Sequence, residues 1–319
     1  MSKTLQTIVI GTSLSKTSDD VVRTGVAIAR ATGATPRLVH AYSLPAFPSE
    51  LGAMDGSWLG EYVNALREGL AQQAQRTGLA GLPGFGPGQL HLTMGPTHGG
   101  IVDLARQVQA DLVVVGAAES PALQRIFLGS TADGVIRQAP CPVFVVRCAS
   151  DFPPTRVEVP VDLSPVAANA LRQGLDFLAQ TGAKDAETEV LFVLNPMEVA
   201  GSLHFTPEQV ERFSLDELHR FLKANGAVPE RARVRSGYPS EQILAALEER
   251  QADLVILGTH GRRGFERLML GSVAIGVMHR AAFNLLIVPP GARRQPAAEA
   301  HEEEWVGADR SFVSDEVLV

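Results

Sequence analysis

The chain has 319 residues, 45% hydrophobic and 20% charged, with 30 glycines and 20 prolines. This composition excludes a disordered or collagen-like chain, and the length suits two domains of ~150 residues, each able to build its own core. The net charge of −7 argues against a broad nucleic-acid surface, and no apolar run approaches the ~18 residues needed to span a bilayer.

In chain order, the N-terminus has no basic and apolar leader and enters a strand, Thr7 to Gly11, almost at once. Glycine- and proline-rich stretches from Ser43 to Gly60 and from Gly78 to Gly88 read as surface loops. His98-Gly99-Gly100 reads as the turn before a helix. Trp58 falls in a loop, without aromatic companions for nucleic-acid stacking. Cys141 and Cys148 flank a short apolar strand, Val143 to Val146. Seven residues of strand cover roughly 23 Å at ~3.3 Å each, which is beyond disulfide reach. The thiols therefore point to a reducing, cytoplasmic compartment, and no metal-ligand spacing is visible. Ala149 to Pro154 is a turn-rich linker.

The second half begins with a buried strand, Val157 to Val161. Ser164 then serves as an N-cap with Pro165 at the first helical position, and that helix runs to Gly182. Val190 to Leu194 is continuously apolar, as a parallel strand buried on both faces should be. Thr206-Pro207-Glu208-Gln209 opens a helix with a capping-box pattern. Arg231 to Val234 is a weaker strand, Gly237-Tyr238-Pro239 a turn, and Glu241 to Gln251 a helix. Leu254 to Leu257, Ser272 to His279 and Leu285 to Val288 follow as strand, helix and strand. Strand alternating with helix calls for a parallel α/β sheet with right-handed crossovers.

The chain also repeats itself. Asp111-Leu112-Val113-Val114-Val115-Gly116 recurs 142 residues later as Asp253-Leu254-Val255-Ile256-Leu257-Gly258. The same offset carries Leu128-Gly129-Ser130 onto Leu270-Gly271-Ser272 and Phe144-Val145-Val146 onto Leu286-Ile287-Val288. Nearer the start of each half the offset is 149, matching Thr32-Gly33-Ala34 with Thr181-Gly182-Ala183. Collinear landmarks at this period mean two copies of one domain, 1–150 and 151–290, followed by a tail, 291–319. The tail holds seven acids and three bases, so it carries −4 of the −7. Its Glu302-Glu303-Glu304 run reads as a solvated segment. The apolar edges Val143 to Val146 and Leu285 to Val288 invite pairing of the two copies as an intramolecular pseudo-dimer, and a homodimer of the whole chain stays open.

Open parallel sheets bind ligands beyond the carboxyl ends of their strands, where the crossover direction reverses. One second-half strand ends Val161-Asp162. Another ends Gly258-Thr259-His260-Gly261-Arg262-Arg263, and Gly271-Ser272 then opens a helix. Glycine, two residues, glycine, nine residues and Gly-Ser is a spacing that suits a polyphosphate. Glycines let backbone approach closely, and a helix N-terminus offers unpaired N–H groups and about half a positive charge. Ser272 could add a hydroxyl, and Arg262 or Arg263 charge. Asp162 could instead cap a local turn, and His260 could be an inert surface residue.

The G-x2-G-x9-G-[ST] pattern, the Val-Asp-Leu-Ser strand ending and the closing Leu-Leu-Ile-Val-Pro strand resemble the universal stress protein family, over nearly all of residues 5–148 and 155–290. The resemblance implies two tandem five-stranded parallel-sheet α/β sandwich domains, Rossmann-like and adenine nucleotide alpha hydrolase-like, paired through their last strands. It also implies a site for ATP, or for AMP or ADP, with or without Mg²⁺, in members that keep the glycine motif. Carried across by position, Val161 and Asp162 would lie beside adenosine and the backbone near Leu194 would meet adenine. Gly258, His260, Gly261 and Arg262 would border ribose and phosphates, and Gly271, Ser272 and Val273 would cradle the phosphates.

The first half departs from this pattern. Ser13 stands in place of Asp162, and Glu119 in place of Gly261. A carboxylate ~4 Å from a phosphate charge costs about 4 kcal/mol at an effective dielectric near 20, which approaches a thousandfold in affinity. Nucleotide binding is therefore expected in the second half and not in the first. Three functions compete: a nucleotide-binding stress or signalling regulator, a slow ATPase or related adenine-nucleotide hydrolase, and a non-binding dimerisation scaffold. Fast turnover is not expected, because the motif has no Walker lysine and Asp162 is the one evident carboxylate.

Overall fold

Apolar, β-branched runs alternate with amphipathic stretches along the whole chain, and each becomes the element its pattern dictates. The computed structural model describes residues 4–44, 57–118, 128–148, 152–195, 206–227, 231–259 and 270–290. The first half contains β1 (Thr7–Gly11), α1 (Asp19–Thr32), β2 (Thr35–Tyr42), α2 (Ser57–Arg76), β3 (Leu90–Met94), α3 (Thr97–Gln107), β4 (Leu112–Gly116), α4 (Ser130–Gln138) and β5 (Val143–Val146). The second contains β6 (Arg156–Val161), α5 (Pro165–Gln180), β7 (Glu187–Leu194), α6 (Pro207–Ala224), β8 (Arg231–Ser236), α7 (Pro239–Arg250), β9 (Leu254–Gly258), α8 (Ser272–Arg280) and β10 (Asn284–Val288).

The expected caps form. The Ser164 hydroxyl accepts from the Ala167 N–H at 3.1 Å, ahead of Pro165. The Thr206 N–H donates to Gln209 Oε1 at 2.9 Å, while the Thr206 hydroxyl accepts from the Gln209 N–H. Gly33 and Gly182 close α1 and α5 with φ of 71° and 80°, conformations that a side chain would strain.

The ten strands form one continuous sheet in the order β3-β2-β1-β4-β5-β10-β9-β6-β7-β8. Pairing is parallel within each half, and β5 and β10 meet antiparallel, so the two five-stranded sheets join through their last strands. Alternate residues of each strand enter opposite core layers. Ile8, Ile10, Val157 and Val159 pack under α1, α2, α5 and α6, while Val9, Val113, Val255 and Leu257 pack under α3, α4, α7 and α8. Burial on both faces explains why these strands read as unbroken apolar runs. Mid-helix glycines set the spacing of helix and sheet. A Cβ on Gly25 would lie 2.4 Å from Ile10 Cδ1, and one on Gly174 would lie 2.7 Å from Ile256 Cδ1.

Three expectations are corrected. His98, Gly99 and Gly100 lie in the first turn of α3, not in a preceding turn. The turn is made at Gly95 (φ 125°), and Gly100 is needed because a Cβ there would stand 2.1 Å from Thr93 Oγ1. The Ser43 to Gly60 stretch does not stay a loop to its end, since α2 begins at Ser57. Trp58 therefore lies on a helix and has companions: Tyr62 is 6.5 Å away, and Tyr62 stands edge-on to Tyr42 at 6.0 Å. No disulfide joins Cys141 and Cys148. Among the described residues, no helix is long and apolar enough to cross a membrane.

Candidate functional site

In the second domain the chain runs outward from β6 through β7 to β8, then returns to the other side of β6 for β9 and β10. The crossover direction therefore reverses between β6 and β9, where such sheets open a crevice. The two strands pair only at Val157–Leu254 and Glu158–Val255. Pro160 has no N–H to carry the ladder further, so the strand ends part. That proline is a signal the sequence offers and motif spacing passes over.

Val161 and Asp162 stand at one lip of this opening. Asp162 Oδ1 accepts the Ser164 N–H at 3.0 Å, and the intervening Leu163 is held at φ 61°. The carboxylate thus caps its own turn. Leu14 takes φ 62° at the matching place in the first domain, so the sharp exit from the strand belongs to the fold.

Gly258 ends β9 at the other lip. A Cβ there would meet Val166 Cγ1 at 3.4 Å and Ala170 Cβ at 3.5 Å, so this glycine lets α5 pack under the strand tip. Thr259 follows. Its N–H donates to the Val288 carbonyl at 3.2 Å, and its carbonyl accepts the Gly271 N–H at 2.8 Å. That second bond draws Gly271, the N-cap of α8, onto the mouth of the crevice. Gly271 has no capping side chain and the first turn of α8 holds no acid. Ser272 is exposed beside it, and Val273 packs half-buried against the core beneath α8.

One strand further out, Leu194 ends β7, and its carbonyl accepts the Gly237 N–H at 2.9 Å. A base lying there would have to use other backbone groups near Leu194. The structure thus brings Val161, Asp162, Leu194, Gly258, Gly271, Ser272 and Val273 to one end of the sheet. His260, Gly261, Arg262 and Arg263 lie outside the described residues, as does Glu119 of the first domain.

The first domain repeats this geometry with different chemistry. Ala117 accepts the Gly129 N–H at 2.7 Å, as Thr259 accepts that of Gly271. The first turn of α4, however, contains Asp133, paired with Arg137 at 2.8 Å, where α8 has Ile275. Beside β1, Thr12, Ser18 and Asp19 take the places of Val161, Ala167 and Ala168. With the fully buried Gln73 they build a polar network. Gln73 Nε2 donates to Ser18 Oγ at 3.0 Å and to Asp19 Oδ1 at 2.8 Å, and Thr12 Oγ1 donates to Gln73 Oε1 at 2.7 Å. Burial raises the Asp19 pKa, but hydrogen bonds from Arg76 and Gln73 outweigh it and leave the carboxyl below its ordinary range. Periodicity cannot reveal this network, because its members are far apart in sequence.

The Asp that opens each repeated Asp-Leu-Val motif holds the neighbouring strand. Asp111 Oδ2 accepts from the Gln6 and Thr7 N–H groups at 2.9 and 3.1 Å. Asp253 Oδ2 accepts from the Thr155 and Arg156 N–H groups, both at 2.8 Å, and from the Thr155 hydroxyl at 2.6 Å. Both lie at the opposite ends of their strands from the crevices.

A family model described as the universal stress protein family matches residues 4–147 and again 154–289. The universal stress protein Rv2005c of Mycobacterium tuberculosis is 28% identical over 184 residues, covering 56% of this chain and 62% of the relative. A universal stress protein of Mycolicibacterium smegmatis is 29% identical over 194 residues, covering 60% and 65%. The chain thus spans less than two thirds of the length of these curated relatives. A universal stress protein from Archaeoglobus fulgidus has the same fold, with a TM-score of 0.63 and 20% identity, covering 89% of this chain and 98% of that one.

Proposed function

This chain belongs to the universal stress protein family, and on that premise we propose that its second domain binds an adenine nucleotide, and its first does not, as part of a stress-response regulator. The observation that carries the reading is the convergence of Asp162, Gly258 and the Gly271-capped start of α8 at the crossover reversal. In this reading the phosphates sit over the N–H groups of Gly271, Ser272 and Val273, whose partial positive charge no acid in the helix's first turn offsets. Gly258, His260, Gly261 and Arg262 border ribose and phosphate, Val161 and Asp162 the adenosine, and backbone beside Leu194 the base.

The donor set fits an anion. The corresponding first-domain helix already spends its N-terminal field on Asp133, and Glu119 stands where Gly261 would admit phosphate. These residues bind and orient, and no hydrolytic step is assigned to them. Among the described residues no cluster of three or more metal-ligating side chains occurs, so any Mg²⁺ would arrive with the nucleotide.

The test is titration of ATP, ADP and AMP into the full chain and into Gly261→Glu, with mass spectrometry of the denatured protein for carried-over ligand. The proposal expects saturable binding of one equivalent, weakened at least tenfold in Gly261→Glu. Unchanged affinity in that variant would overturn it. Steady-state phosphate release then separates a regulator from a slow ATPase.

A further inference from the structure

Beneath α7 the second domain buries charge that the fold itself does not require. Glu158 on β6 and Glu189 on β7 are register partners in adjacent parallel strands and face the same core layer. Glu158 is 0% exposed and Glu189 3%. The same two positions in the first domain hold Val9 and Arg37, also register partners, so nothing in the architecture calls for acids there.

The groups facing the pair can be taken element by element. From the end of α7, Arg250 donates to Glu158 Oε2 at 2.9 Å, to the Val157 carbonyl at 3.1 Å and to the Glu187 carbonyl at 2.9 Å, and its Nε lies 4.0 Å from Glu189 Oε2. From β8, Arg233 lies 3.7 Å from Glu189 Oε1 but is 44% exposed and divided between Glu189 and Glu249 of α7. Arg235 pairs with Glu249, and Arg231 with Glu187. Only Arg250 lies as deep as the two carboxylates. Oε1 of Glu158 and Oε1 of Glu189 are both buried without a hydrogen-bond partner. Two buried carboxylates against one buried guanidinium leave one negative charge in excess, and one oxygen on each acid unpaired. A single proton answers both deficits.

We infer that the Glu158–Glu189 pair is a proton-operated latch of the second domain, holding one proton on Glu158 when α7 is seated and releasing it when α7 lifts. Burial, reinforced by the Glu189 charge and opposed by Arg250 and Arg235, pushes the Glu158 carboxyl up to about 7. The carboxyl binds its proton more tightly seated than exposed. Its contribution to stability is therefore complete below the ordinary carboxyl value of 4.5 and is lost as pH rises toward 7. The latch is strong in mildly acidic solution and spent in alkaline solution. α7 packs on α8, so loosening it reaches the helix that carries Gly271 and Ser272.

The test uses the full chain without nucleotide and does not depend on the binding proposal. Amide hydrogen exchange of residues 239–250, corrected for the intrinsic rate, should speed up about tenfold from pH 6 to pH 8.5, the loss expected for one linked proton. Glu158→Gln should abolish that pH dependence. Glu189→Gln should move it to lower pH, because the neighbouring negative charge is gone. An infrared carboxylic-acid C=O band present at pH 6 and absent at pH 8.5 in the unsubstituted protein would support the latch even if a variant fails to fold. No such band, or an unaltered pH dependence in Glu158→Gln, would overturn it.

Discussion

Phe144 and Leu286 stand directly opposite each other across the antiparallel seam of β5 and β10, and they are also counterparts in the 142-residue repeat. The pseudo-twofold axis of the molecule therefore passes through this pair, as it would through a symmetric dimer contact. Phe144 is shared between the halves: its ring lies 5.8 Å from that of Phe177 on α5 and 6.5 Å from that of Phe152 in the connecting segment. Phe144→Ala should cost about 3–5 kcal/mol, a loss that urea unfolding of the full chain measures. Ile287→Asp, which buries a charge in the same seam, should separate the domains, visible as a larger radius in small-angle scattering.

Asn284 closes one end of the seam. Its Oδ1 accepts the Arg147 N–H at 2.8 Å and the Cys148 N–H at 3.3 Å, while the Arg147 guanidinium donates to the Met278 carbonyl near the end of α8. Burial lowers the Arg147 pKa to about 10, which leaves it charged at neutral pH beside the negative end of the helix dipole. Asn284→Ala should cost about 1–3 kcal/mol by stranding buried donors, and chemical denaturation of variant and parent compares them.

Asp253 ties β9 to the start of β6. Burial raises its pKa, but the Thr155 side-chain and backbone bonds, with that from Arg156, outweigh burial and hold the carboxyl below its ordinary value. A depressed carboxyl stabilises the fold above the unfolded value of 3.8, and that contribution is lost as pH falls through its folded value. Asp253→Ala should lose about 1–3 kcal/mol at pH 7, and the gap to the parent should close under acid, as thermal unfolding at pH 7 and pH 3 would read.

Ile275 offers a direct probe of the proposed phosphate cradle. Ile275→Asp gives α8 the acid that α4 already has in Asp133. An acid in the first turn should weaken ATP binding by about 1 kcal/mol, roughly fivefold, in calorimetric titration at low salt. The difference should shrink as salt is added.

Gly174→Ala sets two effects against each other. Alanine gains about 1 kcal/mol of helix propensity, whereas the new methyl meets Ile256 Cδ1 and Cγ2, both at 2.7 Å. Overpacking at ~1–3 kcal/mol should win, so the variant should unfold at a lower temperature.

Much of this molecule is legible in residue order. The repeat, the alternation of strands and helices, the Ser164 and Thr206 caps and the glycine spacing are local patterns, and local patterns survive the absence of coordinates. His98-Gly99-Gly100 misled because small residues before a helix resemble a turn, whereas Gly100 answers to Thr93 on a neighbouring strand.

The sequence by itself determined two like α/β domains and which loop would face a ligand, because hydrophobic period and turn chemistry act over a few residues. Only the tertiary structure decided that the two sheets run on as one, that Pro160 parts β6 from β9, and that Glu158 lies beside Glu189. Those relations depend on register between distant strands, and a one-residue slip would turn every one of these side chains to the opposite face.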